Sequence, residues 1–220
     1  MTPNDHQKQN SIYISLHPGY TIPMKRQNTL PDFTELCPPE QNHTAQFISL
    51  QIFFFFLCSI AGFLWEVAIF FVKDGGFTNR GFLYGPWLPV YGVGGVLFYI
   101  LLSGIAKKHP VRAFALSLLI GTGLELLIGW FLDSVWDLRY WDYRSYPLNY
   151  KGYICLYSAL GFGIAGVLWV CVLSGLFAKL WKKLPVHFRL GANTILVLLF
   201  ALDCAAALIF PNIGQGITFP

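Results

Sequence analysis

NRGFLYGPWLPVYGVG, residues 79–94, joins a short polar turn to a hydrophobic run. Pro86 and Pro89 stand among Gly81, Gly85, Gly92 and Gly94, with Tyr84, Trp87 and Tyr91 between them. Solvent loops are not this aromatic, and apolar runs flank the stretch on both sides, so it reads as a membrane entrance. Proline removes a backbone donor and glycine loosens the chain, which together prevent one uniform helix. Non-helical backbone at membrane depth persists only where protein or trapped water satisfies its polar groups.

Working outward from that stretch, the composition agrees with a membrane protein. Of 220 residues, 55% are hydrophobic and 12% charged, about half the charged share of an ordinary soluble domain. Five runs meet the roughly 20 residues that a helix needs to cross the hydrocarbon: about 47–72, 87–106, 111–132, 154–177 and 190–210. The fold class expected is therefore all-α, a polytopic helical membrane protein with about five transmembrane helices in residues 47–210. A re-entrant piece over 82–91, before the second helix, is the alternative. Residues 1–46 carry Pro, Asn, Gln and His without a sustained apolar period and read as a disordered tail, with a short helix near 32–36 as an option. They lack an apolar h-region near the N-terminus, so no secretory signal is expected. Residues 211–220 read as a short C-terminal tail.

Orientation follows from Lys and Arg. With five spans, Lys8, Lys25, Arg26, Lys107, Lys108, Arg112, Lys179, Lys182, Lys183 and Arg189 share one side. The other side has Lys73, Arg80, Arg139, Arg144 and Lys151. The positive-inside rule puts the richer side in the cytoplasm. The protein is then expected in the inner (plasma) membrane, N-terminus cytoplasmic and C-terminus outside, with the glycine–proline stretch and the loop 133–153 both facing outward.

Three acids lie within apolar spans: Glu66, Glu125 and Asp203. An ionised acid at a helix centre costs about 2.5–3.5 kcal/mol on insertion scales. Seventeen Phe, Ile, Leu and Val between residues 47 and 72, at roughly −0.3 to −0.6 kcal/mol each, outweigh one such carboxylate. Insertion survives, and the acid still needs a reason. Ser117, Gly121, Glu125 and Gly129 recur every fourth residue, and Ser59, Gly62 and Glu66 follow the same face of the first span. Small residues mark helix contacts in membranes, so Glu66 and Glu125 are expected to face the bundle. Asp203 has Ala206 and Ala207 on its side. Two readings stay open: a polar, outward-facing pocket for an ion, proton or polar solute, or interhelical glue bonded to Tyr, Trp or backbone. Arg80 is the nearest counter-charge and could clamp a carboxylate; a snorkelling interfacial Arg is its plainer reading. The outer loop alternates acids, arginines and aromatics around Trp141 and Asp142, which suits a folded lid over the site, with Tyr84, Trp141 and Asp142 closing it. Trp and Tyr there also make an interfacial belt.

Other chemistries are disfavoured. No G-x-x-x-x-G-K-[ST] occurs, so no P-loop binds ATP, and there is no G-x-S-x-G elbow. The five His lie outside the spans and the five Cys have no C-x-x-C spacing, so no metal site, disulfide framework or cofactor is expected. Net charge is +4, but the cations punctuate apolar runs instead of gathering on one polar face, which argues against nucleic acid. The expected partners are the lipid bilayer, a separate ATPase subunit where transport is ATP-driven, and a second copy of the chain.

At this point a resemblance enters. The run 79–92, the Leu124–Glu125 pair with Trp130, and RYWDY at 139–143 together resemble the putative ABC-transporter type IV permease family, small bacterial multi-pass membrane proteins. Trp65–Glu66 and PLNYKGYICL at 147–156 extend the likeness, which covers about 47–172. Tyr153 stands where the family usually has an Arg, and Asp133 where it usually has a Glu; Lys151 or Arg144 are the substitutes for that missing cation. The resemblance implies a permease working with a separate ATPase. A permease-like transport component for a small polar or ionic solute is the function expected. The alternatives are a membrane enzyme acting on lipid or envelope precursors and a non-catalytic scaffold or sensor; catalysis is the less favoured, since no catalytic motif is present.

Overall fold

The computed structural model describes residues 11–17, 20–25, 43–210 and 212. The chain divides into two units, Met1–Asn42 and His43–Pro220. In the first, within the segment expected to be a disordered tail, the backbone of β1 (Ser11–His17) pairs antiparallel with β2 (Tyr20–Lys25), Ser11 opposite Lys25. Ile12, Ile14 and Leu16 alternate with other residues at the strand period, and Pro18–Gly19, a turn-favouring dipeptide, separates the two strands in sequence. The option of a helix near 32–36 lies outside the described residues, as does most of 211–220.

The second unit is all-helical. Its helices are α1 (His43–Asp74), α2 (Pro89–Ala106), α3 (Pro110–Trp136), α4 (Leu156–Leu168), α5 (Ser174–Lys183) and α6 (Val186–Ile209), with a π-helical turn, Trp169–Leu173, joining α4 to α5. Five of the resulting segments are long and apolar enough to cross a membrane, α4 through α5 counting as one, so the chain is a multi-pass membrane protein with the expected spans. The first span begins at His43 and the fourth runs on to Lys183, beyond the apolar runs that signalled them. The extra turns of the fourth are amphipathic: Trp181 is buried and stacks on Phe53 at 4.2 Å, while Lys179, Lys182 and Lys183 stay exposed.

Glycine and serine decide how closely these helices approach. The buried face of α3 is Ala113, Ser117, Gly121, Glu125 and Gly129, the four-residue stripe visible in the sequence. It meets α4, where Gly166 stands against Ser117 and Phe162 against Gly121. Gly92 and Gly95 of α2 do the same against Ser59 and Cys58 of α1. A Cβ at Gly92 would lie 2.7 Å from the Phe55 backbone carbonyl, which has no rotamer to escape into. Gly92→Ala is therefore expected to cost about 1–3 kcal/mol through overpacking, whereas Gly94→Ala, into open space, is neutral or stabilising by up to about 1 kcal/mol. Thermal unfolding in detergent, followed by helical circular dichroism, checks the contrast.

Two aromatic clusters fill the interior. Phe54 meets Tyr99 and Trp169 edge-on at 4.9 Å, and the Trp169 indole donates to the Gly95 carbonyl at 2.9 Å. Edge-to-face rings suit the positive rim and negative face of the π system. Nearer the other end, Phe56, Trp87 and Phe200 pack together, tying the α1–α2 connection to α1 and α6.

That connection, residues 75–88, is the irregular part of the bundle. It has no helix, yet Thr78, Arg80, Leu83, Trp87 and Leu88 are buried in it. The Leu88 N–H donates to the Ser59 carbonyl at 3.1 Å, near the midpoint of α1. At 1.5 Å per residue, Asp74 lies about 22 Å further along that helix. The chain thus leaves the end of α1 and dives back beside it before α2 starts. Pro89 occupies the first turn of α2, where its missing N–H costs nothing; Trp87 therefore falls before the second helix and not inside it.

Candidate functional site

Two polar clusters sit on this re-entrant connection. In the first, Glu66 of α1 receives the Arg80 Nε on Oε2 at 2.9 Å and the Tyr91 hydroxyl of α2 on Oε1 at 2.9 Å. Another Arg80 nitrogen donates to the Tyr140 carbonyl of the loop between α3 and α4 at 2.8 Å, and the guanidinium covers the Phe70 ring at 4.0 Å. Arg80 is only 5% exposed, so it is a buried cation with a defined counter-charge and not a snorkelling one. On the neighbouring side, Glu125 of α3 accepts the Tyr143 hydroxyl at 2.9 Å and the Ser158 hydroxyl at 2.8 Å. It is 6% exposed. The two carboxylates, Glu66 and Glu125, are held by separate sets of partners. Their partners differ in kind, since Glu66 has a cation and Glu125 has hydroxyls.

The local folds that deliver these groups are specific. Gly62 lets the Tyr91 ring lie against α1 one turn below Glu66, where a Cβ would overlap the ring. Ser158 is placed by a capping box at the start of α4, in which the Cys155 thiol accepts from the Ser158 N–H and the Ser158 hydroxyl accepts from the Cys155 N–H. Tyr143 is held by its own N–H to the Gly152 carbonyl at 2.9 Å. Burial first, then the charge of Glu125 and the bond to it, push the Tyr143 hydroxyl well above the ordinary tyrosine range, so it stays a proton donor.

In the second cluster, Asp203 of α6 accepts three donors from the connection. The Tyr84 N–H reaches Oδ1 at 3.0 Å, while the Gly85 N–H at 2.9 Å and the Trp87 indole at 2.6 Å reach Oδ2. The Tyr84 hydroxyl donates to the Phe210 carbonyl at 2.7 Å, and the Asn212 amide to the Gly81 and Leu83 carbonyls at 3.4 and 3.2 Å. An acid in the fifth span is thus the acceptor that re-entrant backbone requires.

Of the residues singled out in the sequence, the fold pairs Glu66 with Arg80, sets Glu125 against Tyr143 and Ser158 instead, and places Tyr84 and Asp203 in the second cluster. Trp141 and Asp142 do not touch the carboxylates. The Trp141 indole donates to the Tyr153 carbonyl at 2.7 Å and its ring packs over Gly129. Asp142 pairs with Arg144, whose Nε lies 2.7 Å from Oδ2. Both build the lid itself, and its neighbours Tyr140 and Tyr143 reach down from it. Tyr91, Tyr143 and Ser158 were not picked out, because a single Tyr or Ser beside a membrane helix carries no spacing signal; only the Cys155–Ser158 interval of three hints at a cap. The two departures from the family pattern meet each other: the Tyr153 hydroxyl donates to Asp133 at 2.5 Å, and Arg139, rather than Lys151 or Arg144, brings the cation, 2.7 Å from the same oxygen.

The lid also has a pH dependence with a fixed sign. The hydrogen bond from Arg144 is the main reason that the Asp142 carboxyl is held below its ordinary value. A depressed native value stabilises the lid above the ordinary carboxylate range, and that contribution is lost as pH falls through the depressed value. Gly152, at φ 78 with Asp142 Oδ1 2.6 Å from where its Cβ would be, closes the turn on this pair. Pepsin should cleave residues 137–155 only toward the acid end of its working range, below about pH 4, and cleave the Asp142→Asn protein throughout it.

No curated protein and no solved structure matches the chain. The model of the family described as "Putative ABC-transporter type IV" matches residues 53–208, from the middle of α1 to the end of α6, and the chain belongs to that family.

Proposed function

We propose that this protein is a permease-like transport component that admits a small polar or ionic solute past the polar groups Glu66, Arg80, Tyr91, Glu125, Tyr143 and Ser158. One observation supports this reading above the rest: a half-buried carboxylate of α1 paired with a cation and a buried carboxylate of α3 held only by hydroxyls lie under a folded loop beside a broken backbone. Intramembrane ionisable residues ordinarily mark pathways for ions or solutes, and membership of a transport-associated family points the same way. Asp203, with its oxygens taken by three loop donors, serves as the clasp of the connection. Because these 220 residues contain no P-loop, ATP-driven transport requires a separate ATPase, and the basic turn after α5 offers it a docking place. The N-terminus and the basic helix ends face the cytoplasm of the inner membrane, and the lid faces outward.

Sidedness is testable directly. In a background without the native cysteines, an impermeant maleimide added outside should label Ser145→Cys and spare Lys108→Cys, two exposed positions; the reverse pattern inverts the orientation. Function is tested by mild-detergent purification and by solute flux in proteoliposomes. A stoichiometric ATPase, or gradient-driven flux lost in Glu125→Gln, supports the permease. Absence of both defeats it.

A further inference from the structure

On the bundle's flank, at the end opposite the lid, the N-terminal turn of α3 and the junction of α4 with the π-helical turn leave an open groove of about 570 Å³. Pro110, Val111 and Phe114 form one wall, and Ile164, Leu168 and Val172 belong to the other. The only polar atom offered by a lining side chain is the thiol of Cys171. Val111, Ile164, Leu168 and Val172 are all about half exposed or more, so the groove opens sideways, where a bilayer would be.

Both walls turn cationic at the same end. Lys108 and Arg112 flank Pro110 and Val111 and are exposed. On the other wall Val172, Gly175, Lys179 and Lys182 follow at intervals of three and four residues, which keeps them on one helix face; Lys179 lies about 10 Å beyond Val172 along the axis. Lys and Arg stems reach several ångströms along an apolar surface to present their charge. Among the described residues no ion pair neutralises them: residues 43–65, 75–124 and 143–202 contain no Asp or Glu, and the three ion pairs among the described residues all lie toward the other end.

We infer that this groove is a binding site for one anionic phospholipid, with an acyl chain in the crease and the phosphate between Lys108 and Arg112 on one side and Lys179 on the other. The charge pattern selects that occupant. A second copy docking the same face by two-fold symmetry would set these cations against their own equivalents. A soluble partner would meet the cations but leave the crease empty. A zwitterionic lipid fills the crease without answering the charge, and each basic residue near the surface favours an anionic one appreciably. The inference does not depend on what the carboxylate groups at the other end carry.

The full chain, purified and delipidated in neutral detergent, is titrated with phosphatidylglycerol or phosphatidylcholine of identical acyl chains. Native mass spectrometry counts bound lipids, and peptide mapping reads alkylation of Cys171 by a bulky maleimide. Phosphatidylglycerol should be retained, and Cys171 protected, at a concentration on the order of tenfold lower than phosphatidylcholine requires. Lys108→Gln with Arg112→Gln should abolish that preference, while Lys73→Gln with Lys151→Gln, two cations removed from the lid end, should leave it intact. Equal retention of both lipids overturns the site. So does loss of preference in the lid-end variant, which would indicate bulk charge, or protection of Cys171 that follows dimer formation. If the Lys108/Arg112 variant fails to fold, the Cys171 protection in the unaltered chain still decides.

Discussion

Asp203→Ala is expected to be among the most destabilising single substitutions in the bundle, costing on the order of 4 kcal/mol. Hydrogen bonds to charged groups contribute about 1.5–3 kcal/mol each, and this carboxylate accepts three, from the Tyr84 and Gly85 N–H groups and the Trp87 indole. Their simple sum overshoots because the exposed flank of the loop, where Tyr84 lies half in solvent, recruits water once the acceptor is gone. The Trp87 indole has less recourse, since its ring is buried between Phe56 and Phe200. Asp203→Asn keeps one acceptor oxygen and should lose roughly half as much. Thermal unfolding in detergent measures both, and cysteine accessibility at Gly81 reports whether the connection itself has come loose. Unchanged stability of Asp203→Ala, with altered solute flux, would make Asp203 a ligand-binding group instead of a clasp.

How much of this could be read from the residues differs by level. The five spans follow from length and apolarity, which are local quantities, and the contact face of α3 follows from a four-residue interval of small side chains that any helix turns into a stripe. Depth was not legible. Pro and Gly over residues 79–94 announce broken backbone, but nothing in them says that Leu88 stops beside Ser59 or that an acid more than a hundred positions later supplies the missing acceptor. Asp203 in the sequence looks like Glu66 and Glu125. Only the partners separate them: backbone amides and an indole for Asp203, a guanidinium for Glu66, hydroxyls for Glu125.

The lid shows the same limit on a smaller scale. Helices and strands carry a period that assigns a face to each position; an irregular loop carries none. RYWDY offered Trp141 and Asp142 as the conspicuous residues. The turn geometry instead sends the Tyr140 carbonyl to Arg80 and the Tyr143 hydroxyl to Glu125, and spends Asp142 on Arg144 within the loop. Arg80 was foreseeable as the partner of a carboxylate because it stands at the mouth of the second span on the same side as the acids; that the carboxylate is Glu66 was not. Ser158 was not, since its role comes from a helix cap built with a thiol, an unusual acceptor in that position.

The Glu66–Arg80 pair supplies the second large effect, and a double-mutant cycle is the way to read it. Removing one partner of a buried ion pair strands the other and costs about 3–5 kcal/mol; because the Glu66 side chain retains some exposure, 23% against 6% for Arg80, the lower end is expected, about 3 kcal/mol, for Glu66→Gln. Arg80→Gln should cost more. It leaves Glu66 with only the Tyr91 hydroxyl, frees the Tyr140 carbonyl and removes the stacking on Phe70, itself worth about 0.5–2 kcal/mol. The double variant should recover a large part of the loss, since two neutral amides carry no uncompensated charge and can bond to each other. A coupling energy of about 1–3 kcal/mol between the two positions is the expected result, read from unfolding in detergent with the lid intact. Additive losses would mean that Arg80 acts through contacts other than Glu66, Tyr140 and Phe70 among them, and the charge balance drawn here around Glu66 would then be wrong.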